Sequence, residues 1–584
     1  MNTKFQLVSY RESSRRLPLL LVILAAFAWR LQGISTQSLW RDEVDAIYFA
    51  VRDLPETLSM FVNAGQNGAL YFLALRPWFM LVGTSEFALR YPSAIFSILS
   101  LPLLWQVVRI LLPTQTQQDE LYGRVLQTNT PTPQQTRQNH LYGTYPNTPS
   151  LNAPSPEIFQ QSKVNHNHTE AYVPDIWLRI ISDLPLLAIL FLAMNPYQLW
   201  YSQEGKMYSL VTCLSLFAGW YWLRGIGVGG WRPWLAYLVT MSLAIYSHLL
   251  MILMIPLHMI WFIIAWPRSK YHVGGYLFAL AGLTLPYLPM IWWQWEMLMT
   301  TDRRTGFSFV PLLEMLESLL AHHAHGFLTP QDEMWLAPVF FLGLAGIGLG
   351  MFEIQPTSRS SLPGLNSWRR FAIVLSWLIV PILSIYLLSL RQPIFTERYV
   401  IWIAPAVMMI LALGIQLVWQ NAGWLGRPLT AILLIYTLGF WGYYGWQHKI
   451  QPIKYDLRSA VTHIHQNRES VELLILQIPH MEYAYRYYSS DQGAYPLLGS
   501  DERLGNWTGG LWTNNGWDDD RAKIQANQQM LGITANMTAV WVMRSEVEMW
   551  DNRYLMDTWL DEHGDLIEQL NFHGTEVRHY LLTR

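Results

Sequence analysis

The stretch Ser38-Leu39-Trp40-Arg41-Asp42-Glu43-Val44-Asp45 sets three carboxylates directly behind the first apolar segment of the chain. A carboxylate at such a boundary gains no stability there, because hydrocarbon penalises it and water a few residues further on would solvate it freely. The plain alternative is an acidic, solvated loop. What favours chemistry is the set of groups elsewhere that could share the site. Asn195-Pro196-Tyr197-Gln198-Leu199-Trp200-Tyr201-Ser202-Gln203-Glu204-Gly205-Lys206-Met207-Tyr208 offers a carboxylate, an ammonium and several aromatics. His248 ends one apolar run, and Arg398-Tyr399 opens another. The segment Gln294 to Met334 carries Asp302, Arg303, Arg304 and the cluster His322, His323 and His325, which has no helix-spaced ligand pattern. Carboxylates on one wall of a cavity and cations on another suit a phosphate-bearing lipid, with the cations holding phosphate and an acid taking a proton from a nucleophile.

These groups meet only if the elements carrying them end on one side of a membrane. The 584 residues are 52% hydrophobic and 14% charged, with long apolar runs between short basic turns, so this is a mainly α, polytopic membrane protein. A net charge of −2 gives no sign of nucleic-acid binding, and the single cysteine, Cys213, excludes an internal disulfide. Leu17 to Gly33 is the first span. Lys4, Arg11, Arg15 and Arg16 precede it, which keeps the N-terminus in the cytoplasm and sends Asp42 and Glu43 outside.

Ala69–Gly83 is apolar but short and contains Arg76 and Pro77, so it is read as an interfacial helix. Tyr91–Leu112 crosses. Further spans are expected at Leu184–Leu199, Met207–Leu223, Trp234–His248, Leu250–Trp266, Val273–Trp293, Trp335–Met351, Phe371–Leu390, Tyr399–Val418 and Leu429–Trp446. That makes about 11 in all. Their basic loops, holding Arg224 and Arg232, Arg268 and Lys270, Arg369 and Arg370, and Arg427, then fall inside. Counting Ala69–Gly83 as a span would put those loops outside, against the charge rule. Tyr201 and Tyr208 could instead belong to an aromatic belt, and Lys206 and Arg398 could snorkel, but cations at outer ends run against that same rule.

Two polar segments stand apart. Residues 113–173, rich in Gln, Thr, Asn and Pro, should be a disordered cytoplasmic insert in the membrane domain 1–446. Residues 447–584 read as a small extracytoplasmic α/β domain. Strands are expected at Val471–Leu476, Thr538–Val542 and Arg578–Leu582, and helices at Met481–Ser489 and Glu546–His563.

Trp40-Arg41-Asp42-Glu43 and Tyr201-Ser202-Gln203-Glu204-Gly205-Lys206-Met207-Tyr208, in this order and on one side, resemble the GT-C glycosyltransferases. The similarity is to the bacterial branch related to protein O-mannosyltransferases and aminoarabinose transferases. Asn67-Gly68-Ala69-Leu70-Tyr71-Phe72 and Glu86-Phe87-Ala88-Leu89-Arg90-Tyr91-Pro92-Ser93-Ala94 match the stretch between the first two full spans. The chain departs at Asn67-Gly68-Ala69, where many relatives have Lys- or His-Pro-Pro, and at Gly205-Lys206, where Ala-Arg is more usual. The resemblance implies a GT-C fold, a polyprenyl-phosphate sugar donor and catalysis on the outer face of the inner or plasma membrane. It makes Asp42 the catalytic acid, Glu43 its neighbour, Glu204 a second acid and Arg398 a phosphate ligand. Lys206, Tyr201, His248 and Tyr399 are candidates to bind substrate beside them.

The expected reaction passes a hexosyl or pentosyl unit from lipid phosphate to a hydroxyl of a protein, lipid or glycan, by one inverting displacement. Asp42 is the base, and Asp45 is read as a solvated or interfacial neighbour. Asp42 and Glu204 could hold Mg²⁺ or Mn²⁺, or Arg398 and Lys206 could neutralise the phosphate without a metal. Two other readings stay open. A lipid or solute transporter would place ionisable groups near mid-membrane, where His258 is the main exception to apolar spans, and a glycan-binding membrane protein would work through the outer domain alone.

Overall fold

The computed structural model describes residues 2–62, 67–112, 183–289, 308–328, 365–421, 423–469, 472–477, 481–489, 504–506, 518–547 and 553–583, with residues 292, 295, 340, 341, 343–345, 347, 348 and 551 between them. The insert 113–173, most of the expected span Trp335–Met351, and Asp302, Arg303 and Arg304 lie outside the described residues.

Helices stand at the other expected spans. Four are long and apolar enough to cross a membrane: Glu86–Leu111, Trp368–Ser389, Glu397–Trp419 and Gly423–Ile450. Two bent pairs raise the number to six among the described residues. The rest fall short of that test, such as Leu17–Leu31, the apolar part of the 30-residue helix Asn2–Leu31, or Tyr208–Gly227, which carries Ser, Thr, Tyr and Trp on faces that pack against other helices. The count expected from sequence is therefore higher than length and apolarity alone return. Ala69–Val82 is a helix of 14 residues. At about 1.5 Å per residue it is too short to span. The protein is a mainly α, multi-pass membrane protein with a small C-terminal α/β unit.

Two of the spans are bent. Leu184–Met194 and Pro196–Ser202 meet at 62°, where Pro196 interrupts the backbone ladder. Asn195 caps the second piece, its Oδ1 accepting from Gln198 N at 3.2 Å. The fully buried Arg30 caps the end of the first, donating to Ala193 O at 3.0 Å and Leu192 O at 3.3 Å. A cation there suits the negative end of the helix dipole. Its Nε donates to Ser97 Oγ at 2.8 Å, so three elements are tied at one point. Leu249–Ile264 and Trp266–Tyr287 form the second bent pair, at 83°. His258, the polar exception, lies buried among Trp222, Trp261 and Tyr237, with its Nδ1 2.8 Å from Tyr237 Oη and its Nε2 without a partner.

The last membrane helix, Gly426–Ile450, runs past Trp446 before the chain enters the C-terminal α/β unit. There β1 (Leu473–Leu476), β2 (Leu504–Asn506), β3 (Ala539–Arg544), β4 (Gly564–Phe572) and β5 (Thr575–Leu582) form one sheet in the order β2-β1-β3-β5-β4. The first three are parallel, while β5 pairs antiparallel with β3 and β4. β1 and β3 are buried throughout, as strands covered on both faces must be. Leu473, Ile475, Val540 and Val542 face Asp519–Ile533 and Leu555–His563, and Leu474, Leu476, Trp541 and Met543 join the core that continues into the membrane domain. Of the expected helix Glu546–His563, the stretch Leu555–His563 is helical, and Asp551 accepts from Leu555 N and Met556 N at 3.2 and 3.1 Å; residues 548–550 and 552 lie outside the described residues. Met481–Ser489 appears as expected and packs on the helix that carries the acidic stretch.

Candidate active site

Trp40 is extended, and the chain then turns into the helix Arg41–Val51, with Asp42 and Glu43 in its first turn. Unpaired N–H groups favour acids at that end. Adjacent helical residues point about 100° apart, so the two carboxylates face different surroundings.

Glu43 points inward and is fully buried. Its Oε1 accepts from Arg90 Nε at 2.8 Å and Gly205 N at 2.7 Å. Its Oε2 accepts from Arg90 Nη2 at 2.7 Å and lies 3.0 Å from Lys454 Nζ. Arg90 spends its other donors on Ile34 O, Gln37 O and Ser38 O, at 2.8, 2.8 and 2.9 Å. Burial alone would raise the Glu43 carboxyl, yet Arg90, then Lys454, and the Gly205 N–H hold it down at about 2. This carboxylate has no capacity left for a substrate proton. It joins three loops in one clamp, and its geometry is that of a positioning residue.

Asp42 faces the open side. Its Oδ2 is 3.4 Å from Arg398 Nη1 and its Oδ1 3.9 Å from Arg41 Nε. Arg41 is held in turn by Glu546 of the outer domain at 2.8 Å. Burial pushes the Asp42 carboxyl up, but Lys206, Arg398 and Arg41 outweigh it and keep the group below its usual range. Arg398 sits 5.8, 6.0 and 5.9 Å from the ring centroids of Trp40, Tyr208 and Tyr399, and its Nε is sealed without a hydrogen bond. Lys206 lies 5.7 Å from the Phe72 ring centroid, and its ammonium forms no ion pair among the described residues.

Glu204 is buried, with Oε2 unpartnered. Burial, Glu43 and Asp42 push its carboxyl up to about 7, against the pull of Lys454 and Arg398. Burial and then Arg90 push the neighbouring Lys454 ammonium down to about 8, against Glu43 and Glu204. Lys454 also reaches Gln203 O at 3.4 Å and lies 5.1 Å from the Trp200 ring centroid. His248 takes Leu250 N at 3.3 Å on Nδ1 and leaves Nε2 sealed and unpartnered, its ring 5.0 Å from that of Tyr399. Tyr201 stands behind them, packed with Tyr197, Tyr208 and Phe327. Buried polar atoms normally find partners, so unpartnered atoms of Glu204, His248 and Arg398 in one small region mark a site shaped for a polar ligand.

All eight residues singled out in the sequence therefore converge, Tyr201 as a wall rather than a contact surface. Arg90 and Lys454 were not anticipated. Arg90 carries the signal used for Lys206 and Arg398, a cation at the outer end of a span. Lys454 carries no local signal, because it reaches the site from the linker behind the last membrane helix. Asp45 also differs from expectation. It is half-buried, its Oδ1 is sealed without a hydrogen bond, and burial with Asp42 nearby raises its carboxyl to about 6, against Lys206 and Arg41. Asn67, at the departure from the usual Pro-rich pattern, accepts from Leu249 N at 2.7 Å and so ties the loop to the His248 turn. The His cluster ends the helix Leu312–His325, and the backbone carbonyl of His323 accepts from Asn195 Nδ2 at 2.7 Å. Among the described residues no three His, Cys, Asp or Glu side chains converge as metal ligands. Asp42 faces two guanidiniums and an ammonium, a donor set that does not suit Mg²⁺ or Mn²⁺.

The sequence matches no protein-family model and no curated protein. The fold does have solved counterparts. ArnT from Cupriavidus metallidurans bound to undecaprenyl phosphate superposes with a TM-score of 0.52 at 9% identity, covering 96% of this chain and 97% of that one. Its apo form gives 0.51 at 10% identity, with the same coverage. The chain has the GT-C fold. Coverage of 96% means that the superposition takes in both the membrane part and the C-terminal unit.

Proposed function

We propose that this chain is a glycosyltransferase that moves a sugar from a polyprenyl-phosphate-linked donor to a hydroxyl on the extracytoplasmic face. The observation that carries this reading is the cluster of Asp42, Arg398 and Lys206 within a GT-C fold whose solved counterpart holds undecaprenyl phosphate. Lys206, free of ion pairs among the described residues, and Arg398, with a spare sealed N–H, hold the donor phosphate. The acceptor hydroxyl oxygen bonds to the anomeric carbon as that carbon's bond to the phosphate oxygen breaks. The bonding pair leaves with the phosphate, and the hydroxyl proton goes to Asp42. Attack opposite the leaving group inverts the anomeric centre.

Glu43 fixes the helix that carries Asp42. Glu204, protonated in part near neutral pH, offers a hydrogen bond to the sugar, with His248 and Tyr399 beside it. The cations do the neutralising that a metal would otherwise supply. Basic inner loops support a cytoplasmic N-terminus and an outer domain outside the inner or plasma membrane. The transporter reading finds less support, since Arg30, the buried cation of the first span, is held by fixed protein partners.

Purified protein in detergent, given polyprenyl-phosphate sugars and an acceptor extract with and without EDTA, tests the proposal. Release of polyprenyl phosphate with a glycosylated product is expected under both conditions. Movement of intact donor across a vesicle would favour a transporter, and saturable binding without turnover would favour a glycan-binding protein.

A further inference from the structure

Asp42 is held by cations, which makes it a convenient place for a proton to arrive and a poor one for it to stay. Three residues on, Asp45 shares its face of the helix Arg41–Val51. Side chains spaced that way have Cβ atoms about 5–6 Å apart, within reach of a direct or one-water proton transfer. A buried carboxylate oxygen with no hydrogen bond is rare enough to need an explanation. The Asp45 Oδ1 is such an atom.

A neighbour of this helix comes from outside the membrane domain. The helix Met481–Ser489 packs over Arg41–Val51, and the ring of Tyr483 stacks on that of Tyr48 with centroids 4.0 Å apart and planes at 18°. The groups facing Asp45 are Arg41 and Asp42 from its own helix, Lys206 from the second outer loop and Tyr483 from the outer domain. We propose that Asp45 is a second catalytic carboxylate, which takes the acceptor's proton on from Asp42, and that the outer domain keeps it dry with Tyr483. This rests on the transfer reaction proposed above. The balance is simple: the proton leaves the acceptor hydroxyl for Asp42 as the new C–O bond forms, then moves to Asp45, and Asp42 is a carboxylate again. Burial and the neighbouring Asp42 give Asp45 the higher proton affinity of the two, so the second transfer runs downhill.

The test is the pH profile of single-turnover transfer with polyprenyl-phosphate sugar. Asp45 must be ionised to receive the proton, so the wild-type rate should rise with pH through about 6 and then level. Asp45→Asn should lose that limb and fall about tenfold at neutral pH, less than the ~10²-fold or greater loss from Asp42→Asn. Glu204→Gln should keep the limb at whatever rate it runs, which separates Asp45 from the other raised carboxyl. Tyr483→Ala, by admitting water, should move the limb down towards the ordinary carboxylate range near ~4, and Tyr483→Phe should restore it. Should Asp45→Asn fail to fold, the two Tyr483 variants decide the matter. A limb unchanged in Asp45→Asn, or unmoved by Tyr483→Ala, overturns the relay and leaves the glycosyl-transfer reading standing. Full transfer by Asp42→Asn would move the base elsewhere and remove the relay with it, whereas no transfer by the wild-type protein overturns the glycosyl-transfer reading itself.

Discussion

Replacing Glu43 with Gln removes one negative charge from a buried pocket that holds the cations of Arg90 and Lys454. The carboxyl falls from an ordinary 4.5 to about 2 although burial pushes the other way. At about 1.4 kcal/mol for each tenfold change in proton affinity, the clamp favours the ionised form by about 3 kcal/mol. Breaking a buried ion pair by removing one partner costs ~3–5 kcal/mol, so two independent routes give the same size of loss. The folded value lies below the unfolded one. The contribution is therefore complete above about 4.5 and is lost as pH falls towards about 2. Unfolding in mixed detergent micelles, followed by tryptophan fluorescence, should show Glu43→Gln less stable by about 3 kcal/mol at neutral pH. In the Lys454→Met background the loss should be smaller, because one of the stranded cations is gone. A loss below ~1 kcal/mol, the size of an exposed pair, would show that the clamp does not organise the site.

Gly205→Ala would place a Cβ 2.4 Å from Leu89 Cγ, and Leu89 is fully buried. The variant should lose about 1–3 kcal/mol in the same unfolding assay, with Leu89→Ala recovering part of it. Arg398→Ala should raise the Kd for a polyprenyl-phosphate donor at least ~10-fold, read by equilibrium binding, and slow the bound chemistry less, because a phosphate ligand acts in the ground state as well as the transition state. A reporter active only outside the cytoplasm should be active when fused after Ile450 and silent when fused within residues 113–173.

How far the fold could be read from the sequence depended on what each element buries. Membrane helices announce themselves through apolar length, and β1 and β3 through unbroken runs covered on both faces. Asp519–Ile533 gave no such signal because it buries only Ala522, Ala526 and Met530, and β4 was hidden because none of its residues is fully buried, so its apolar ones, Leu566 and Ile567 among them, mark no core-facing side. The site followed the same logic. Asp42, Glu204, Lys206 and Arg398 stand out as ionisable groups at outer span ends. The division of labour between Asp42 and Glu43 does not follow from adjacency, since it is set by Arg90 and Lys454, which lie 47 and 411 residues from Glu43 along the chain. Asp45 reads as solvated until the outer domain is placed over it.

The most direct measurement is single-turnover transfer by Asp42→Asn, with donor binding followed in parallel. The substitution keeps the size and hydrogen-bonding shape of the side chain but removes its capacity to accept a proton at neutral pH. Transfer should fall by at least ~10²-fold, while the folded protein still binds the lipid donor. Transfer at close to the wild-type rate would place the base elsewhere and contradict the mechanism drawn from this site.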